Sequence, residues 1–285
     1  MTDVELYVPD DGLPMNEKGV GSWSVEKYRL LASYINQFST GTKKAWGHRT
    51  FIDLYAGAGY SRLRNGSILK GSPMLSLSAR DPFDQYLFCE EDPVSLSTLE
   101  TRVHRDHPSS SVKFFEGDCN IKIDEIIDSV PRHNSLTLCF VDPYNLSIKF
   151  GTLAKLAARR IDLLCLLALH MDANRAYDIY MAQESSKVDS FLGTSEWKQA
   201  FKDAERPRRD FPIFLAEFFA KRMSTLGFEE TPTHSMHLVR TDDTNVPRYH
   251  LALFSKHQLA YKFWENARSS STDQLPMFKK DGPCL

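Results

Sequence analysis

The stretch Thr50-Phe51-Ile52-Asp53-Leu54-Tyr55-Ala56-Gly57-Ala58-Gly59 is an apolar run that closes on an acid and then breaks into a loop of small residues. Taken alone, such a loop reads either as a ligand cradle or as a plain tight turn. A buried parallel strand that turns at glycines leaves backbone N–H groups facing a crevice at its carboxyl end, because only glycine lets the main chain approach a bound nucleotide so closely. A dinucleotide-binding loop would carry a third small residue at its sixth position, where the following helix packs on the strand. That position is Arg62 in Gly57-Ala58-Gly59-Tyr60-Ser61-Arg62, which argues against a dinucleotide.

From Arg49 onward, short apolar runs alternate with helical patterns, as in a parallel sheet with helical crossovers. The pattern predicts strands at 50–55, 85–89, 112–116, 136–141 and 161–169, and helices at 73–79, 93–103, 121–129 and 150–158. Ser72 is the expected cap of the first of these helices, with Pro73 in its first turn. A long amphipathic helix over 211–226 leads to two strand-like runs, 235–240 and 249–255, joined by the turn formers of 241–247. So short a connection makes that pair antiparallel, since a parallel return needs a dozen or more residues. The expected architecture is one α/β, Rossmann-like domain over 1–285. It has seven strands, mostly parallel with an antiparallel C-terminal hairpin, and helices on both faces. Around it lie a helical cover at 22–48, a substrate loop inserted at 60–71, a helical lid or substrate insertion at 172–210 and a mobile tail at 269–285. Within the cover, residues 22–37 read as a helix capped by Ser24, with Tyr28, Leu31 and Ile35 on one face.

The 285 residues carry a formal net charge of -2, so no global basic field draws the chain onto nucleic acid and any such binding must use a local patch. The five cysteines are scattered, with neither a Cys-x-x-Cys pair nor a Cys/His cluster at metal spacing. Cys89, Cys139 and Cys165 fall inside apolar runs, as small hydrophobes do. These features, a polar acidic N-terminus and the absence of a long apolar run predict a reduced, cytoplasmic protein with no metal and no membrane span.

Ligands of open α/β sheets bind beyond the carboxyl ends of the strands, so the residues just after each strand are the candidates for chemistry. Asp53 and the loop of Tyr55, Ala56, Gly57 and Gly59 resemble the first motif of class I methyltransferases, which hold S-adenosylmethionine and release S-adenosylhomocysteine. On that resemblance Glu90 is placed to take the ribose hydroxyls, Asp118 to accept from the adenine amine and Cys119 to edge the ring. For each acid alone, an N-cap to the following helix is the competing reading. Asp142-Pro143-Tyr144 resembles the Asp-Pro-Pro-Tyr loop of amine-modifying nucleic-acid methyltransferases, with one proline where that loop has two. There the acid and a proline carbonyl accept the amine hydrogens while the aromatic ring stacks on the base. Basic residues gather in the inserted loop, at Arg62, Arg64 and Lys70, and in the lid region, at Lys198, Lys202, Arg206, Arg208 and Arg209. Arg62, Lys70, Arg206, Arg208 and Arg209 are the substrate candidates, against a solvated charged face as the alternative. His170 reads either as a cleft residue or as a buried histidine. In the tail, Gln274-Leu275-Pro276-Met277-Phe278 looks like the short peptide by which bacterial proteins dock on the replication sliding clamp, against an apolar strip folding back onto the body as the alternative.

Taken together, Trp23-Ser24, Lys27, residues 51–62, Gly71-Ser72-Pro73, Gly117-Asp118-Cys119-Asn120, Val141-Asp142-Pro143-Tyr144 and Tyr249-His250-Leu251 resemble the three-Cys-motif partner proteins, over about residues 23–257. The resemblance implies a bacterial or phage-related protein with a methyltransferase-like fold and a partner carrying a three-cysteine motif. It also favours roles for Arg62 and Ser72 beyond capping. Three readings remain: a methyltransferase acting on a DNA or RNA base amine, a non-catalytic module that binds its partner, and a methyltransferase for a protein or small molecule.

Overall fold

Strands buried on both faces set the layers. In the computed structural model, which describes residues 5–16, 21, 23–170, 176–182, 186–241 and 244–273, the chain opens with β1 (Tyr7–Val8) and α1 (Trp23–Thr42). Then come β2 (His48–Asp53), a hairpin of β3 (Tyr60–Arg62) and β4 (Ile68–Lys70), and α2 (Ser72–Leu77). Strands and helices next alternate as β5 (Gln85–Glu90), α3 (Pro93–Asp106), β6 (Val112–Glu116), α4 (Cys119–Asp128), β7 (Ser135–Val141), α5 (Phe150–Ala157) and β8 (Ile161–Leu167). Three short helices, α6 (Tyr177–Ala182), α7 (Lys187–Leu192) and α8 (Trp197–Asp203), precede α9 (Phe211–Ser224). The described chain ends with β9 (His237–Arg240), β10 (Pro247–Phe254) and α10 (Gln258–Asp273).

The main sheet has the order β6-β5-β2-β7-β8-β10-β9. The first five are parallel, whereas β10 runs antiparallel to both β8 and β9. This is the seven-stranded, Rossmann-like methyltransferase fold expected from the sequence. Successive residues of each strand point to opposite faces. Ile52, Cys139 and Leu163 bury one way with α4, α5, α7 and α9, while Phe51, Leu138 and Leu164 bury the other way with α1, α2 and α10. Neighbouring strands lie about 4.8 Å apart, so the carboxyl ends of β6, β5, β2 and β7 form one row.

The structure moves several expected boundaries. β2 starts at His48 and ends at Asp53, so Leu54 and Tyr55 already belong to the loop, and β8 stops at Leu167. Ser24 lies inside the first turn of α1 rather than at its cap. Gly71 takes the cap position of α2 without a side-chain hydrogen bond, which frees the Ser72 hydroxyl for another partner. Residues 60–71 form a hairpin rather than a loop, and β1 adds to it as β1-β4-β3, with Leu6, Tyr60, Ile68 and Leu69 all buried in the cluster that also holds α1 and α2. The described part of 172–210 packs into the core: Phe191, Trp197 and Phe201 are buried, and Phe191 stacks on Phe219 with centroids 4.5 Å apart. The tail motif Gln274–Phe278 lies outside the described residues. No helix among the described residues is long and apolar enough to cross a membrane.

One buried cation ties the N-terminal segment to the glycine loop. Arg102 on α3 is fully buried, makes a bidentate pair with Asp11 at 2.8 Å, and donates to the carbonyls of Ala58 and Pro14. The Arg102 hydrogen bonds hold the Asp11 carboxyl down at about 2. Arg102→Leu leaves Asp11 with Arg105 at 3.1 Å but strips the Ala58 and Pro14 carbonyls of their donor, and is expected to cost about 3 kcal/mol of stability. Arg102→Lys is expected to recover little, since an ammonium lacks the planar fork. Urea denaturation of the two variants checks both outcomes.

Candidate functional site

The glycine loop is shaped by space as much as by torsion. Gly57 and Gly59 have φ of +61° and +86°, the left-handed region that favours glycine. A Cβ on Gly71 would stand 2.9 Å from the Gly59 carbonyl oxygen, to which the Gly71 N–H donates at 2.7 Å. The Gly57 N–H donates to one carboxylate oxygen of Glu90 at 2.7 Å, and the Asp92 N–H to the other at 2.9 Å. Glu90 thus closes the loop from the end of β5.

Asp53 is fully buried between these pieces. Its Oδ1 accepts from the Tyr55 N–H at 3.1 Å, while Oδ2 has no hydrogen-bond partner among the described residues. Burial raises its carboxyl to about 7, with Asp142 and Glu90 adding to the rise and the Ser72 hydroxyl and Tyr55 N–H opposing it. Asp118 acts as the N-cap of α4, its Oδ1 accepting from the Asn120 N–H and side-chain amide, both at 2.8 Å. Cys119 behind it is buried, and burial pushes its thiol up to about 11. The Tyr55 hydroxyl lies 3.2 Å from Ser147 Oγ.

Asp142 follows β7 and meets a partner that the sequence did not single out as a site residue. Lys27, in the second turn of α1, donates to its Oδ2 at 2.7 Å, with both side chains largely buried. Burial is the largest single influence and would pull the Lys27 ammonium down, but Asp142, Tyr28 and Tyr249 together outweigh it and the net shift is upward. The buried Tyr249 hydroxyl beside this pair has no partner among the described residues. Pro143 is buried, whereas Tyr144 is 69% exposed. A clue to Lys27 lay in the sequence: it stands four residues before Leu31, on the apolar stripe of a helix expected to cover acidic strand ends.

A cavity of about 170 Å³ joins Tyr55, Ala56, Gly59, Ser72 and Asp142 to Lys27 and Tyr28 of α1, with Asn16 and Tyr144 at its edge. Ligand pockets commonly span about 300–1,000 Å³. Part of the space is taken by the N-terminal segment, where Asn16 exchanges backbone hydrogen bonds with Tyr60 and Arg62 and its amide lies against Gly57.

None of the five basic substrate candidates lines this cavity. Arg62 pairs with Asp10 at 2.6 Å, and Lys70 donates to Ser78 Oγ at 3.3 Å. Arg206 pairs with Glu217 and Arg208 with Asp178, both on the helical side, and the exposed Arg209 lies 3.8 Å from Asp210. His170 is half-buried against His250 with ring centroids 5.4 Å apart, burial lowers both to about 4, and the His170 Nε2 has no hydrogen-bond partner among the described residues. Among the described residues no group of three His, Cys, Asp or Glu is placed to hold a metal ion.

No protein-family model and no curated protein matches the sequence. Among solved structures, the chain is similar to protein LPL1258 from Legionella pneumophila at 11% identity, over 89% of this chain and 93% of that one, with a TM-score of 0.52. It is also similar to Trm1 from Pyrococcus horikoshii in complex with S-adenosyl-L-methionine, at 8% identity over 90% of this chain and 61% of that one, TM-score 0.44. Cofactor-bound Rv0187 aligns at 9% identity over 87% and 86%, TM-score 0.47.

Two outcomes test the electrostatics of the row. Because the Asp53 carboxyl is raised in the folded state, its contribution is fully present below about pH 4 and is lost as pH rises toward about 7. Asp53→Asn is therefore expected to gain stability relative to the parent across that window and to hold the gain above it, as read from melting temperatures at pH 4 and pH 8. Lys27→Met strands Asp142 and is expected to cost about 3–5 kcal/mol, most of it recovered in Lys27→Met/Asp142→Leu. A double-mutant cycle in urea measures this.

Proposed function

We propose that the chain is an S-adenosylmethionine-dependent methyltransferase that acts on a base amine of DNA or RNA. What supports the cofactor is the row of strand ends: the glycine loop, Glu90 closing it, and the buried Asp53 with one oxygen unpartnered, a fit for a ligand with both hydroxyls and a cationic group. Asp53, Tyr55, Ala56, Gly57, Gly59, Glu90, Asp118 and Cys119 would hold it. When bound, the sulfonium supplies an activated methyl group, so the protein has mainly to align the acceptor. In this reading Asp142 offers the acceptor amine Oδ1, its oxygen not taken by Lys27, and the Pro143 carbonyl accepts the second hydrogen. The exposed Tyr144 ring stacks on the base, and this exposure is what favours a nucleobase over a smaller acceptor. Lys27 fixes the orientation of Asp142 through its bond to Oδ2.

The resemblance to three-Cys-motif partner proteins adds a protein partner to this proposal, and the tail peptide adds the sliding clamp as a second candidate. A non-catalytic role for the same body is favoured by one observation, the narrow cavity crossed by Asn16.

Calorimetry with S-adenosylmethionine and S-adenosylhomocysteine is the test. Both are expected to bind, and Glu90→Ala to weaken them by about 1.5–3 kcal/mol, the scale of hydrogen bonds to a charged group. Near pH 7 the cationic ligand is expected to expel the Asp53 proton, so the binding heat should vary with the buffer's ionisation enthalpy. Asp142→Ala should keep cofactor binding and lose methyl transfer to nucleic acid. Cofactor binding without methyl incorporation into DNA, RNA or protein would leave the partner-binding role.

A further inference from the structure

At the opposite edge of the sheet, where β2, β7 and β8 begin, lies a larger cavity of about 510 Å³. Its wall is cationic. Arg132, Arg159, Arg160 and Lys256 line it together with His133, and no carboxylate is among the described lining residues. Two helices end beside it, α4 at Asp128 and α5 at Ala157, and part of this charge answers their exposed carbonyls. Arg159 donates to the Val130 carbonyl at 2.9 Å and Lys256 to the Ala157 carbonyl at 2.6 Å.

These contacts use few of the donors present, for an ammonium carries three N–H groups and a guanidinium five. Among the described residues Arg132 has only Asp128 in reach, at 3.6 Å with both side chains more than 70% exposed, where water screens the pair. Arg160 lies over the half-buried ring of Trp46, with its guanidinium carbon 5.3 Å from the centroid. On the same lining, the Ser135 and Thr137 hydroxyls are buried without a partner among the described residues. Buried hydroxyls of this kind ordinarily find one. The rims are fixed, since the His48 N–H donates to the Asn134 carbonyl at 3.1 Å and joins the loop after α1 to the loop before β7.

We propose that this cavity binds a nucleotide, its phosphate held among Arg132, Arg159, Arg160 and Lys256 and its base stacked on the plane formed by Trp46 and Arg160. The volume suits a mononucleotide rather than a duplex, and lies within the range of small-ligand pockets. A guanidinium pairs with phosphate in bidentate fashion and also stacks on flat rings, so one residue type serves both ends of the ligand. The site stands a full strand length from the glycine loop, about 20 Å for the six residues of β2, and is independent of the proposed methyl transfer.

Calorimetric titration of the full chain with AMP, GMP and inorganic phosphate tests the assignment, each run with and without saturating S-adenosylhomocysteine so that binding at the glycine loop is told apart. The expected result is one nucleotide per chain in both conditions, tighter than inorganic phosphate by on the order of tenfold and weakening with added salt. Arg132→Gln/Arg160→Gln, two exposed positions, should weaken the nucleotide by about tenfold or more at an unchanged melting temperature. Trp46→Ala should bring nucleotide and phosphate to the same affinity. Absence of nucleotide binding at millimolar concentration, equal affinity for inorganic phosphate in the parent chain, or affinities untouched by these variants would overturn the proposal.

Discussion

Parallel pairing of four neighbouring strands sets Asp118, Glu90, Asp53 and Asp142 side by side at one edge of the sheet, and like charges so placed repel more strongly the less water surrounds them. The surroundings answer that repulsion one residue at a time. Asp118 spends its charge on a helix start, Glu90 on two backbone N–H groups, and Asp142 on the Lys27 ammonium. Asp53, with no cation and the deepest burial, is left with a raised pKa. A bound cation would relieve it, so the fold carries at this edge a standing preference for a positively charged ligand.

The other edge has the reverse character. Helices that run back from the sheet end there, their carbonyl termini attract basic side chains, and the excess of those side chains over carbonyls leaves a cationic hollow. A net charge of only -2 therefore conceals two strongly charged edges of opposite sign. Whole-chain charge reports their sum, which is why composition alone gave no hint of either.

Much of the frame was legible because periodicity and turn chemistry act locally. Val112–Glu116 follows from its residues alone, and the antiparallel final pair follows from the shortness of residues 241–247. Glu90 could be found because it ends an apolar run. What escaped was the part decided by distant chain: the strand Tyr7–Val8, too short to show a period, exists only because Ile68–Lys70 offers it an edge. Lys27 belongs to the same class, since nothing near it in sequence announces that Asp142 lies 115 residues away along the chain and 2.7 Å away in space. The basic clusters stand away from the cavity beside the glycine loop, as Arg206 and Arg208 find acids within their own helical layer.

The bond between Arg102 and Asp11 carries an evolutionary corollary. A guanidinium sealed inside the body with its counter-ion on a short segment ties the two positions together: loss of Asp11 strands the buried Arg102, whereas loss of Arg102 still leaves Asp11 the exposed Arg105 at 3.1 Å. Across descendants of this chain, Asp11 should be lost only together with or after Arg102, and a lineage that sheds the segment should carry an uncharged residue on α3 in place of the arginine.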